Sequence, residues 1–248
     1  MPTTWTPVSG VTTTWTNATP NFNDGNTKLW SGFEGADAAV AYSDLIAGAY
    51  SFFGTAQLDT AQKANGSASL LLDGDSDYLT LPTSDNWNLA GGDFTLECRV
   101  RFNALTAGTY PVFIARCYDT TGSGGWGVYH AIPTGKLGFY YSTNGSNATD
   151  LLVSWTPVIN TWYHIAIVRN GADLKFFVAG VQVGATQNIG ADVIYNNSKP
   201  LSLGVDLNAS DNPIAGDYVN GWLDKVRISK GIARWTSNFT PQTMWVDV

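Results

Sequence analysis

The stretch "DFTLECRVRF", residues 93–102, alternates along its whole length. Phe94, Leu96, Cys98, Val100 and Phe102 fall on one side, and Thr95, Glu97, Arg99 and Arg101 on the other. Successive strand residues point to opposite faces, so this is a strand with one face in a core. "WYHIAIVRNG", residues 162–171, places Trp162, His164, Ala166 and Val168 on one face and Tyr163, Ile165, Ile167 and Arg169 on the other. Both faces are largely apolar, which is the pattern of a central strand covered on both sides.

Working outward, short apolar runs recur from Lys28 onward: "TKLWSGF", "AYSFFGTAQL", "ASLLLDG", "YLTLP", "YPVFIARCY", "GWGVYHAI", "KLGFYYST", "LLVSWT", "DLKFFVAG", "VQVGATQ", "PLSLGV" and "GWLDKVRIS". Asn-Gly, Gly-Gly, Asn-Asn and Asp-Asn clusters punctuate them, as turns require. "YPVFIARCY" is expected to pair back on "DFTLECRVRF" as a hairpin. "RNGADLKFFVAGVQVG" is a second hairpin, with Ala179-Gly180 at its corner. Helix signals are nearly absent; "DAAVAYSDLIAGA" reads as a long loop or one short turn, and "SKGIARW" as another. About a dozen strands exceed a seven-stranded sandwich and suit an all-β jelly roll, two antiparallel sheets packed face to face.

Composition agrees. Among 248 residues are ten Trp, eleven Tyr, eleven Phe and 26 Gly, and only 13% are charged, against about 25% in typical soluble domains. A net charge of −7 argues against a nucleic-acid partner, because phosphate binding needs clustered cations. The start "MPTTWTPVSG" lacks the basic and apolar regions of a secretory signal, and no run is long enough to span a membrane. The expectation is a chain made in the cytoplasm. Cys98 and Cys117, the two cysteines, read as buried core residues, with a single cross-strand disulfide as the alternative.

Residues 1–26 differ in texture. "TTWTPVSGVTTTWT", residues 3–16, sets Trp5 and Trp15 in a Thr-rich frame without core-forming alternation. They are expected to form an extended docking arm, with both tryptophans as partner anchors, ahead of a jelly-roll domain over 27–248. The alternative is an arm folded back on an edge of its own sandwich.

Four phrases in order, "SLLLDGDSDYLTLP", "DFTLECRVRF", "TWYHIAIVRNGADLKFFVAGVQVG" and "GWLDKVRISKGIARWTSNFTPQT", resemble the concanavalin A-like lectin/glucanase superfamily. The resemblance is to its laminin-G-like (pentraxin-type) jelly rolls and covers about residues 28–243. It implies a fold and a habit of binding sugars, often with calcium; it does not assign a function. The ending "RISKGIARWTSNFTPQT" and the Thr-Trp-Thr start are similar to bacteriophage structural proteins. That similarity implies a virion location, virion proteins as partners of the arm, and a self-associating head decoration or tail component.

Catalysis is not expected. The related glucanases carry a Glu-x-Asp-x-x-Glu motif, whereas the two glutamates here, Glu34 and Glu97, are far apart. The two histidines, His130 and His164, lie inside apolar strand patterns. No nucleophile elbow, metal-binding His pair or phosphate loop is present. Asp224 reads as a turn or strand-pairing device, or as partner to Arg227.

Two oxygen-rich loops qualify for calcium, which takes six to eight oxygen ligands. One holds Asp73, Asp75 and Asp77 in "DGDSDY"; the other holds Asp206, Asp211 and Asp217 in "GVDLNASDNPIAGDY". A site built from both at one rim is the calcium expectation; an Asp/Gly turn is the alternative for the first. Sugar sites combine aromatic faces with amide and carboxylate groups, which selects Trp126, Tyr129, Tyr141 and Asn144 as glycan-binding candidates. The readings carried forward are a virion adhesion or decoration protein, a free or cell-surface lectin module, and a degenerate glycanase.

Overall fold

The computed structural model describes residues 24–44, 46–122 and 124–242. Trp5 and Trp15 lie outside them. The strands are, in chain order, β1 (Thr27–Ser31), β2 (Ser43–Asp44), β3 (Gly48–Ala49), β4 (Ser51–Phe53), β5 (Gln57–Asp59), β6 (Ser69–Asp73), β7 (Tyr78–Leu81), β8 (Phe94–Phe102) and β9 (Val112–Arg116). They continue with β10 (Trp126–Ala131), β11 (Lys136–Ser142), β12 (Ala148–Ser154), β13 (Trp162–Asn170), β14 (Asp173–Val178), β15 (Val181–Asn188), β16 (Leu201–Leu203) and β17 (Asn220–Lys230). An eight-stranded sheet runs β15-β14-β13-β8-β17-β6-β5, with β1 also on β17; a seven-stranded sheet runs β12-β11-β10-β9-β16-β7-β4. This is the expected antiparallel jelly-roll sandwich.

The hairpin expected between residues 93–102 and 110–118 does not form. β8 pairs with β13 and β17, while β9 lies in the other sheet between β10 and β16. Alternation identifies a strand but not its partner, and the loop 103–111 crosses from one sheet to the other. The β14–β15 hairpin forms as expected, with Ala179 and Gly180 both at positive φ, the backbone that a tight two-residue corner requires. "DAAVAYSDLIAGA" contributes the small β2–β3 pair. "SKGIARW" makes no turn of helix; the chain from Gly231 runs on as an irregular strap.

The core between the sheets takes the expected side of β8, with Phe94, Leu96, Cys98, Val100 and Phe102 all buried. Cys98 and Cys117 are both free and buried. The opposite face of the large sheet is also covered, as the two-sided pattern of β13 demanded. Residues 231–242 cross it, and Trp235 and Phe239 stack at 3.9 Å between ring centroids over Ala166, Val168 and Phe177.

Under the strap lies a buried ionic cluster. Glu97 on β8 accepts from Arg227 Nε on β17 and is 2.8 Å from His164 Nε2 on β13. All three are at most 5% exposed. The guanidinium of Arg227 sits within 6 Å of the rings of Trp30 and Trp235. Burial pushes the Glu97 carboxyl up, but the Arg227 charge and the His164 bond outweigh it and hold it below its ordinary value. Asp224 is not the partner of Arg227. It sits at the β17 bulge and accepts from the amides of Ala64 (3.0 Å) and Asn65 (3.2 Å), fastening a distant loop.

Because the Glu97 value is depressed on folding, its stabilisation is complete above its unfolded pKa and is lost as pH falls through the folded one. Glu97→Gln removes the buried carboxylate that Arg227 Nε and His164 Nε2 contact. The expected loss is about 3–5 kcal/mol, read as a fall in Tm on the order of 10 °C near neutral pH. The same substitution should matter far less in acid, where Glu97 is itself protonated.

Candidate functional site

Beyond the core, the seven-stranded sheet carries a second set of side chains on its other face. In β10 and β11, Trp126, Val128, Leu137, Phe139 and Tyr141 point into the core, so Gly127, Tyr129, Gly138 and Tyr140 point away from it. The register sets Gly127 opposite Tyr140 and Tyr129 opposite Gly138. Each tyrosine lies across the glycine on its neighbour: a Cβ on Gly127 would stand 2.4 Å from Tyr140 Cε1, and one on Gly138 2.4 Å from Tyr129 Cε1. The glycines are there because any side chain would lift the rings, and the paired exchange lays two aromatic rings down as a floor.

Above this floor opens a cavity of about 300 Å³, lined by Tyr110, Val112, Tyr118, Tyr129, Tyr140, Asp150, Asp206, Ile214 and Asp217. The volume is at the lower end for small-molecule sites. β9 supplies Val112, and Tyr110 and Tyr118 flank it on either side. Cys117, at positive φ (62°), turns Tyr118 out of the strand line; such a conformation in a non-glycine residue costs on the order of 1 kcal/mol and persists only where its surroundings enforce it. The chain between β16 and β17 forms the wall and is stitched to β9 by Tyr110 N to Gly216 O (2.8 Å), Val112 N to Asp217 O (2.8 Å) and Tyr118 N to Leu207 O (3.0 Å).

The rings are contiguous. Tyr110 and Tyr129 are 6.5 Å apart, Tyr129 and Tyr140 6.2 Å, and Tyr140 and Tyr118 5.1 Å at 89°. Their hydroxyls are tied down where they meet carboxylates: Tyr140 Oη donates to Asp206 Oδ2, and Tyr129 Oη to Asp150 Oδ1 at 3.1 Å. Asp206 also accepts from the amides of Tyr118 (3.0 Å) and Leu207 (2.8 Å). Burial pushes its carboxyl up to about 7 despite these bonds. Asp217 rises to about 7 for two reasons, burial first and the neighbouring Asp206 second. No side-chain hydrogen bond satisfies Asp217 among the described residues, and the lining contains no Lys, Arg or His.

The sequence candidates divide. Tyr129 lines the cavity. Trp126 is corrected: it is fully buried, its Nε1 donating to Trp87 O at 3.0 Å, so it is a core residue. Tyr141 is likewise in the core, with its hydroxyl on Asp192 Oδ2 at 2.7 Å. Asn144 is an exposed turn residue whose Oδ1 accepts from the amides of Ser146 (2.9 Å) and Asn147 (3.0 Å); it does not line the cavity. Tyr110, Tyr118, Tyr140 and Asp150 were missed. The usable signal was the pair of glycines facing tyrosines, which appears only once the β10–β11 register is known.

The six aspartates do not gather as one metal site. Asp73 accepts from the amides of Asp75, Ser76 and Asp77 within its own turn. Asp77 is buried and accepts from Asp73 N at 3.1 Å and from Thr55. Asp211 is ion-paired with Lys199 at 3.2 Å, while Asp206 and Asp217 belong to the cleft. Among the described residues no group of three His, Cys, Asp or Glu is placed to hold a metal ion. Asp73 and its neighbours instead make the turn that carries the chain from β6 in one sheet to β7 in the other. The histidines are buried as expected. Among the described residues no helix is long and apolar enough to cross a membrane.

Comparison with known proteins bears on this geometry. The laminin G-type model of the concanavalin A-like lectin/glucanases superfamily matches residues 73–234. Comparison with curated protein sequences gives no match. Among solved structures, the binding domain of Paraclostridial Mosquitocidal Protein 1 aligns with TM-score 0.60 and 17% identity over 83% of this chain and 49% of that one. Domain 4 of the Geobacillus stearothermophilus GH43 extracellular arabinanase AbnA, solved with arabinotriose, aligns with TM-score 0.58 and 19% identity over 83% of this chain and 93% of that one. A structure of botulinum neurotoxin type C, whose cell entry is described as dependent on two ganglioside molecules, aligns with TM-score 0.61 and 16% identity over 86% and 49%. The chain thus spans about half the length of the toxin structures it matches. With the family model covering most of the sandwich, the chain belongs to the concanavalin A-like lectin/glucanases superfamily.

Proposed function

We propose that this chain is a non-enzymatic, lectin-like module that takes a saccharide into the tyrosine-lined cleft. The observation that carries the reading is the floor of Tyr129 and Tyr140 laid over Gly127 and Gly138. Flat aromatic surface beside carboxylate acceptors is what a pyranose ring and its hydroxyls need. Structural neighbours solved with arabinotriose or described with gangliosides support it. Against catalysis, Glu97 is committed to Arg227 and His164, Glu34 to Lys225, and Asp206 to Tyr140 and two amides. None of these is free to act on a substrate.

We further place the module on a virion, held to its neighbours and to its own copies through the N-terminal arm. This rests on the phrasing of the chain's start and of residues 227–243. Asp24, within residues 1–26, is fixed to the domain by Arg234 Nη2 at 2.7 Å. Deleting residues 1–23 should leave the domain folded and abolish its incorporation into particles, as checked by mass spectrometry of purified particles. Undiminished incorporation would refute the placement.

The cleft gives two further tests. On a glycan array, Tyr129→Ala should weaken saccharide binding about tenfold or more with little change in Tm, whereas Trp126→Ala should cost about 3–5 kcal/mol of stability through the cavity it leaves in the core. Burial, and Asp206 beside it, push the Asp217 carboxyl up to about 7 in the folded chain, above its ordinary value of 3.8. Between these values the folded state holds a proton that the unfolded state lacks, so this carboxyl erodes stability as pH rises. Asp217→Asn should raise Tm in mildly alkaline buffer, raise it less in mildly acidic buffer, and leave it nearly unchanged at about pH 4 or below, under both values; equal effects across this range would contradict the burial argument.

A further inference from the structure

The cleft has a sign as well as a shape. Four tyrosine rings run in unbroken contact around it, and three carboxylates, Asp150, Asp206 and Asp217, share its lining with no cation among the described residues. An aromatic ring is negative over its face and draws a cation held within about 6 Å of its centroid. The hydroxyls of Tyr129 and Tyr140 are spent on Asp150 and Asp206. What these two rings offer a ligand is therefore their π-systems, backed by carboxylate charge.

A neutral sugar matches only part of this. It would stack on the tyrosines but would further desolvate Asp217, a carboxyl with no side-chain hydrogen bond among the described residues, and burying an unpaired acid is costly. A ligand with a positive nitrogen would meet the ring faces and supply Asp217 with the counter-charge that the protein withholds. Resting on the saccharide-binding reading, we propose that the cleft selects an organic ammonium group, carried by an amino-sugar residue of the bound glycan or by a choline substituent upon it. Tyr110 and Tyr118, the exposed pair at 45% and 39%, would form the mouth that closes around the cation. Asp217 would be its counter-ion.

The test is calorimetric titration near neutral pH of the full-length protein with three probes: a glucosamine tetramer, its fully N-acetylated counterpart and choline. The two tetramers differ only in whether the nitrogen can carry charge. The glucosamine tetramer should bind about tenfold tighter or more than the acetylated one, and Asp217→Asn should erase that preference. Because Asp217 makes no side-chain hydrogen bond among the described residues, the variant should fold; a thermal transition no lower than the parent's in mildly acidic buffer verifies this. Tyr118→Ala, at the mouth, should weaken the charged probe about tenfold. Equal binding of both tetramers, or a preference for the acetylated one, overturns the ammonium inference while leaving the saccharide reading intact. Binding of choline with neither tetramer bound sustains the ammonium inference and overturns the saccharide reading. Binding of no probe overturns both.

Discussion

The buried contact of Glu97 with Arg227 and His164 organises the large sheet. It joins three adjacent central strands, β8, β17 and β13, on the face turned away from the core. A charge placed there is tolerable only if water is excluded and every partner is present. The strap of residues 231–242 supplies the exclusion. Trp235 and Phe239 present their rings edge-on to His164 at 5.8 and 5.7 Å, while Arg99 Nη2 donates to Gln242 O at 2.6 Å and Thr95 Oγ1 to Ile232 O at 3.1 Å. The polar face that alternation assigned to β8 is thus an inner surface of the molecule, between sheet and strap.

The other sheet solves a different problem on its own outer face. It keeps that face partly open, and uses glycine where the opposite strand carries tyrosine. The wall from Gly204 to Val219 packs Val205, Leu207 and Tyr218 with Tyr78, and is further secured by backbone bonds to the ends of β9 and by the Asp206 carboxylate. The large sheet buys rigidity with ion pairs under a lid, and the smaller one holds a cavity open with a stitched loop.

Much of this was legible in the sequence. The alternation of residues 94–102 and the two-sided apolarity of residues 162–170 set the strand class, and the Ala179-Gly180 corner set a hairpin. Partner choice was not legible, because β8 and β9 are adjacent in sequence and both apolar, yet nothing local records that a nine-residue connection changes sheets. The site was half legible. Tyr129 stands in a Gly-rich aromatic stretch, but so does Trp126, which is core; they are three residues apart, an odd offset that puts them on opposite faces of the pleat. Tyr140 and Tyr141 are adjacent and face opposite ways, so a one-residue difference separates cleft from core. The calcium expectation took spacing for convergence: Asp73 and Asp77 turn their oxygens toward nearby backbone, a competing use that short acidic loops always have available.

The clasp between Asp24 and Arg234 has a consequence of another kind. It brings the point where the described chain enters the sandwich against the point where the final strap begins, and β1 and the end of β17 run side by side there. The strap leaves this clasp and crosses the sheet, with Phe239 N on Gly180 O and Gln242 O on Arg99, so the chain's entry is fixed beside the strap's beginning and not beside its end. Tension applied at the entry would therefore load β1 and the Asp24–Arg234 pair before it reached the far end of the strap.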